Sequence, residues 1–183
     1  SAAQWPVLRD SNTLRNPHLL QPGQLIRIPA AALPAQPVSA AVTFIQGQVR
    51  QSGAPDASPS LSKGSTLTEG TQLQVAPDGF ISIQLADGSV IKLQANTVLT
   101  LERMRRRPGN GATALDLQLH QGSVESVVAP QPPAGRSFHV RTRRAVASVR
   151  GTEFTVVTSD GADAATSVSH GAVAVQSPAS GRQ

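Results

Sequence analysis

A chain of 183 residues with 39% hydrophobic content can bury a full core, and fits one domain with a small appendage or two small domains. The absence of cysteine removes disulfides, thiol catalysis and thiolate metal sites, and suits a cytosolic or a bacterial envelope protein equally. The 16 basic and 11 acidic residues leave a net charge of +5, but the bases are mostly scattered and aromatics make up only 3%, so base-stacking surfaces and nucleic-acid partners are not expected.

The first region, residues 1–29, opens at Ser1-Ala2-Ala3 without Met, which suggests a processed terminus. Pro6 suits a first helical position, so Pro6–Ser11 reads as a short helical turn ending at Asn12. Residues 30–40, AAALPAQPVSA, carry no charge and read as an Ala/Pro linker. From residue 41 to 178 short alternating runs repeat between turn signals, and 179–183 form a tail.

Ile81, Ile83 and Leu85 alternate with Ser82, Gln84 and Ala86; Ile91 and Leu93 follow, then Leu99 and Leu101, then Leu115, Leu117 and Leu119. Asp78-Gly79, Asp87-Gly88, Asn110-Gly111, Gln121-Gly122, Asp160-Gly161 and His170-Gly171 supply the expected bends. The tract Ala145 to Phe154 alternates small apolar residues up to Arg150, and Gly151 permits a bulge or tight bend before Phe154. Strands of about five residues at this spacing predict an all-β sandwich or roll, mostly antiparallel. A β-solenoid is the alternative, although no fixed repeat length emerges. With Trp5, Phe44, Phe80, Phe138 and Phe154 as the only aromatics, the core must come from Val, Leu, Ile and Ala.

Two basic groups stand out. Arg103, Arg105, Arg106 and Arg107 precede a Pro-Gly-Asn-Gly turn and read either as a solvated hairpin tip or as a docking site for anions: lipid phosphates, acidic glycan or an acidic partner. Arg136, Arg141, Arg143 and Arg144 form the second, with Arg141 and Arg143 on one face by period two. An anionic partner becomes credible if both groups share a face.

His18, His120, His139 and His170 lie in no metal-binding spacing, and no metal or other cofactor is expected. No Gly-x-Ser-x-Gly elbow frames a nucleophile, and Asp160 and Asp163 read as turn formers, so a non-enzymatic chain is expected. No stretch reaches the roughly 18 apolar residues of a membrane span.

The stretch with Leu8, Asn12, Pro22-Gly23-Gln24 and Ile28-Pro29 resembles the C-terminal half of a LysM module, whose family binds N-acetylglucosamine-containing glycans. That resemblance implies a helix ending at Asn12, a closing strand over QLIRIP, and peptidoglycan as a partner of the complete module. From about Val42 the chain resembles the FecR domain. GSTLTEGTQLQV, the Asp87-Gly88-Ser89 turn, LHQGSVESVV with Gly122, and the Val149-Arg150-Gly151-Thr152-x-Phe154 signature carry the likeness; Arg143 stands where that family has Pro. Arg150 reads as an interaction residue or as a tie to Glu153 or Glu125. The combined resemblances imply a Gram-negative periplasmic or envelope scaffold, adaptor or sensor held near peptidoglycan. The alternative is the periplasmic sensor of a sigma-factor regulatory system of the iron-uptake type. A cell-wall glycan hydrolase comes third.

Overall fold

The computed structural model describes residues 5–12, 22–29, 33–53, 61–108, 111–129, 137–158 and 165–176. His18, Asn110, Arg136, Asp160, Gly161, Asp163 and the tail at 179–183 therefore lie outside the described residues, as do the side chains of Val149, Arg150, Thr152 and His170. The described residues form helix α1 (Trp5–Ser11) and twelve strands: β1 (Gln36–Pro37), β2 (Ala40–Gln46), β3 (Val49–Ser52), β4 (Thr66–Leu67), β5 (Gln72–Val75), β6 (Phe80–Gln84), β7 (Val90–Leu93), β8 (Val98–Arg106), β9 (Thr113–Val127), β10 (Ser137–Arg141), β11 (Val146–Thr158) and β12 (Ala165–Gln176). All belong to one curled sheet, so the all-β expectation holds.

The period-two runs bury the predicted side: Ile81, Ile83, Ile91, Leu93, Leu99, Leu101, Leu115, Leu117 and Leu119 are inaccessible and join a single aliphatic cluster. Phe138 and Phe154 close it with an edge-to-face contact at 6.1 Å. The β-domain starts before the expected residue 41. Gln36 and Pro37 pair with Arg106 and Arg105, Val38 N–H donates to Met104 C=O, and Ala40 is buried. The end of the Ala/Pro stretch is held because a two-residue edge strand lies alongside β8, where Pro is tolerated.

Strand β9, at 15 residues, is three times longer than the turn spacing suggested. Its first half lies between β8, antiparallel, and β10, parallel; its second half lies between β7 and β11, both antiparallel. Gly122, expected in a turn, sits at this change of partners with φ +91°. It kinks one continuous strand instead of ending it, because partners wait on both sides of the kink. The His170-Gly171 bend is likewise absorbed into β12. Arg150 pairs with Ala172 and Glu153 with His170, so Gly151 and Thr152 oppose Gly171 alone. That two-against-one step is a β-bulge, within the tract where Gly151 suggested one.

Before β9, Asp87-Gly88-Ser89 forms a buried clasp. Asp87 accepts hydrogen bonds from the Ser89 N–H (2.9 Å) and Oγ (2.8 Å), and Ser89 Oγ accepts from Ala129 N–H. Gly88, at φ +85°, completes the turn, so this family-like element ties a hairpin to the end of β9.

Candidate functional site

Strand order brings one member of each basic group, Arg103 on β8 and Arg141 on β10, onto one outward face. On β8 the ladder slips between Leu101 and Arg103, a bulge that turns Arg103 and Arg105 outward while Met104 points into the core. Arg103 then lies opposite Asp116 on β9, and Asp116 lies opposite His139 on β10. Asp116 is 5% exposed although its strand face is polar. Its Oδ1 accepts from His139 Nδ1 at 2.8 Å; Arg103 Nε stands 3.5 Å from Oδ2 and Arg141 Nη2 3.8 Å from Oδ1. A buried carboxylate needs such compensation. Nearby, Thr100 Oγ1 and His120 Nε2 form a 2.9 Å hydrogen bond.

The cations of this face divide into two kinds. Arg105 is paired bidentately: its Nε and Nη2 donate to Glu69 Oε2 and Oε1 at 2.7 and 2.6 Å, and Met104 N–H donates to Oε2 at 3.1 Å. The Arg105 hydrogen bond holds the Glu69 carboxyl below the ordinary carboxylate range; burial opposes this, and the Met104 N–H and the positive charges of Arg105 and Arg103 reinforce it. Arg105 itself is pushed further up by the same bond. Arg103 and Arg141 instead meet Asp116 at long distance and remain largely exposed, at 62% and 44%. Arg106 and Arg107 are exposed beside the β8–β9 turn, which Arg107 N–H closes on Ala112 C=O.

Because the Glu69 carboxyl is depressed in the folded chain, the unfolded chain binds that proton more readily. The pair's stabilisation is complete above the ordinary carboxylate range and is lost as pH falls from about 5 through the depressed value. Urea unfolding across this interval is expected to show a shallower acid loss for Glu69→Gln than for the wild type. Parallel curves would show that the clasp contributes nothing to acid sensitivity.

Arg143 is not on the strand of Arg141. The chain turns at Thr142–Ala145, where Thr142 N–H donates to Ala145 C=O at 2.8 Å and Thr142 Oγ1 accepts from the Ala145 and Arg144 N–H groups. Period two therefore stops at Arg141. Arg143 takes the second position of a four-residue turn, the place a Pro fits, which accounts for the substitution there. Glu125, one candidate partner for Arg150, is taken by Lys92 Nζ at 2.6 Å.

Of the LysM-like residues, Asn12 ties the helix to the segment at 22–29. Asn12 Nδ2 donates to Leu8 C=O at 2.8 Å and Arg27 C=O at 2.7 Å, and Asn12 Oδ1 accepts from Arg27 N–H at 2.6 Å. The helix ends at Ser11, one residue before the expected Asn12, which stands in the turn that follows. Gly23 turns at φ +82° after Pro22. The closing strand over Gln24 to Pro29 does not form: a strand requires a backbone ladder, and residues 24–29 join none, Arg27 bonding instead to the Asn12 amide. Ile28 is left 59% exposed.

At the far end of the sheet, β12 pairs only with β11 among the described residues. Its twelve residues, ATSVSHGAVAVQ, contain no Lys, Arg, Asp, Glu or Pro. Val175 is 54% exposed, and Val157 on β11 is 45% exposed. The strands β1, β3 and β4 span only two to four residues. Among the described residues no group of three His, Asp or Glu could hold a metal, and no helix is long and apolar enough to cross a membrane.

Sequence reasoning missed Asp116 and His139 because each looks like an ordinary polar partner in an alternating run. The available signal was an acid between two core leucines, Leu115 and Leu117, on a chain with few acids.

No curated protein matches the chain. Two crystal structures of a protein described as an anti-sigma factor from Parabacteroides distasonis are similar, at 29% and 28% identity and TM-scores of 0.46. The matches cover 60% of this chain and 48% of those, so this chain spans about half their length. A family model described as FecR protein matches residues 71–174, from the start of β5 through the bulged β11–β12 pair. Since the match takes in more than half the sequence, with the buried turn at Asp87, the kink at Gly122 and the Gly151 bulge inside it, the chain belongs to the FecR family.

Proposed function

We propose that this chain is a non-enzymatic, signal-receiving domain of a sigma-factor regulatory system in the bacterial envelope, and that it works by docking a partner protein along β12. FecR membership supports the signalling reading. The observation that carries the docking mode is the edge itself. An unpaired strand offers a row of N–H and C=O groups to an extended segment, and proteins normally blunt such edges with charge, proline or brevity. The edges at β1, β3 and β4 are short, whereas β12 is long and uncharged. An adaptor held near peptidoglycan is the second reading, supported by the Asn12 amide, which pins α1 to the 22–29 segment.

One capture experiment separates the two. The immobilised chain is offered a panel of signalling domains from outer-membrane transporters and, in a parallel arm, purified peptidoglycan sacculi. A sigma-regulatory receiver should retain at least one signalling domain, with retention reduced about tenfold by Ser167→Lys/Val175→Lys. Both substituted positions are exposed, so the unfolding midpoint should hardly move. Retention unaffected by the two lysines rejects the edge. Retention of sacculi alone moves the function to the wall-bound adaptor.

A further inference from the structure

We propose that the outward face of β8, β9 and β10 is a second docking site, at which Arg103 and Arg141 take carboxylates of an acidic peptide segment from a partner protein. The site stands apart from β12 and does not require that strand to be paired.

Three observations carry it. First, Arg103 and Arg141 come from strands on opposite sides of β9 and approach opposite oxygens of one carboxylate, with Glu102 completing a shallow depression. Second, their charge is only partly spent. Each guanidinium has five N–H donors, and each makes a single approach to Asp116, at 3.5 and 3.8 Å. His139 already gives Asp116 its short 2.8 Å bond, so the two arginines can turn donors outward without stranding a buried acid. Arg105, two residues from Arg103, shows the contrast: Glu69 holds it by two short parallel bonds at 2.7 and 2.6 Å, and it is left out of the site.

Third, the lining favours a peptide over a polyanion. Glu102 and Asp116 stand among the arginines, so a uniformly negative membrane or nucleic acid meets like charge within the depression. Phe138, the only Phe, Tyr or Trp on these three strands, is 1% exposed and points into the core, and the ring of His139 is held by Asp116, so no large free ring is offered to a base. A segment with separated carboxylates can meet Arg103 and Arg141 individually, which a flat anionic surface cannot do. Asp116 and His139 are positioning residues here: they hold the two guanidinium groups in reach of one ligand.

Fluorescence anisotropy of the whole chain with a labelled peptide alternating Glu and Ser tests this, beside a Gln–Ser peptide of equal length and phosphatidylglycerol vesicles. The Glu–Ser peptide should bind and the Gln–Ser peptide should not, and added salt should weaken the complex. Arg103→Gln/Arg141→Gln should weaken binding about tenfold, the loss of two charge-assisted hydrogen bonds at a solvated site. Arg27→Gln/Arg50→Gln, which removes the same net charge elsewhere, should leave it nearly unchanged. In the wild type, amide shifts on titration should centre on residues 103, 116, 139 and 141, a readout independent of any variant. Equal weakening by both double variants would reduce the effect to net charge and overturn the site. So would vesicle binding that depends on Arg103 and Arg141 without peptide binding, or no binding by the Glu–Ser peptide.

Discussion

Gly122→Ala is expected to cost about 4 kcal/mol, enough to unfold much of a marginally stable domain. Two effects add. The residue sits at φ +91°, where any side chain is strained by about 1–3 kcal/mol. A Cβ at this position would also lie 2.6 Å from Thr97 Cα and 2.8 Å from Asn96 C=O, backbone atoms that cannot swing aside. Thr97 is pinned as well, because its Oγ1 accepts from Ser123 N–H at 3.1 Å and donates to Ser123 C=O at 3.2 Å. Gly70 supplies the control: its φ is +90°, yet nothing lies within 4 Å of where a methyl group would stand, so Gly70→Ala should cost only the conformational part, about 1 kcal/mol. Urea midpoints with unchanged slopes measure both. Equal losses at the two glycines would show that packing at the kink is irrelevant.

Phe154→Ala should come close behind, at about 4 kcal/mol. Phe154 and Phe138 are 0% and 1% exposed, and their rings meet at 6.1 Å with planes 86° apart. With only four Phe in the chain, this pair supplies most of the aromatic bulk of the core. Phe154→Leu keeps much of the volume and should cost nearer about 1.5 kcal/mol. A double-mutant cycle with Phe138→Ala should return a coupling of about 1 kcal/mol, the share of the edge-to-face contact beyond simple burial. A cycle that closes to zero would mean the rings act only as separate fillers.

Local chemistry announced what is local. Ile81, Ile83, Leu99 and Leu101 were legible because alternation records which side faces the core, and the Asp87-Gly88 turn was legible from its residue types. Strand length was not, since it depends on partners far away in sequence. Gly122 and His170-Gly171 carry the same signal as a hairpin turn, and only the strands beside them decide between a reversal and a kink or bulge. The two arginine groups were visible, but the meeting of Arg103 with Arg141 was not. It arises from the parallel pairing of β9 with β10 across a connection that no periodicity records. Asp116 becomes distinctive only after that pairing places Arg103 and Arg141 on either side of it.

The shared strand β9 also sets an order of assembly. Its neighbours β7 and β8 precede it in the chain, while β10 and β11 follow, so β9 can be only half-dressed when it is made. Until β11 arrives, the segment from Gly122 to Val127 keeps one ladder side open, and Val124 loses part of the cover it has in the finished domain. Pairings this distant make for slow folding, because the loop must close before its contacts reward it. Every copy of the chain passes through that interval as it folds, with an unpaired strand edge open to the wrong partner until β11 closes it.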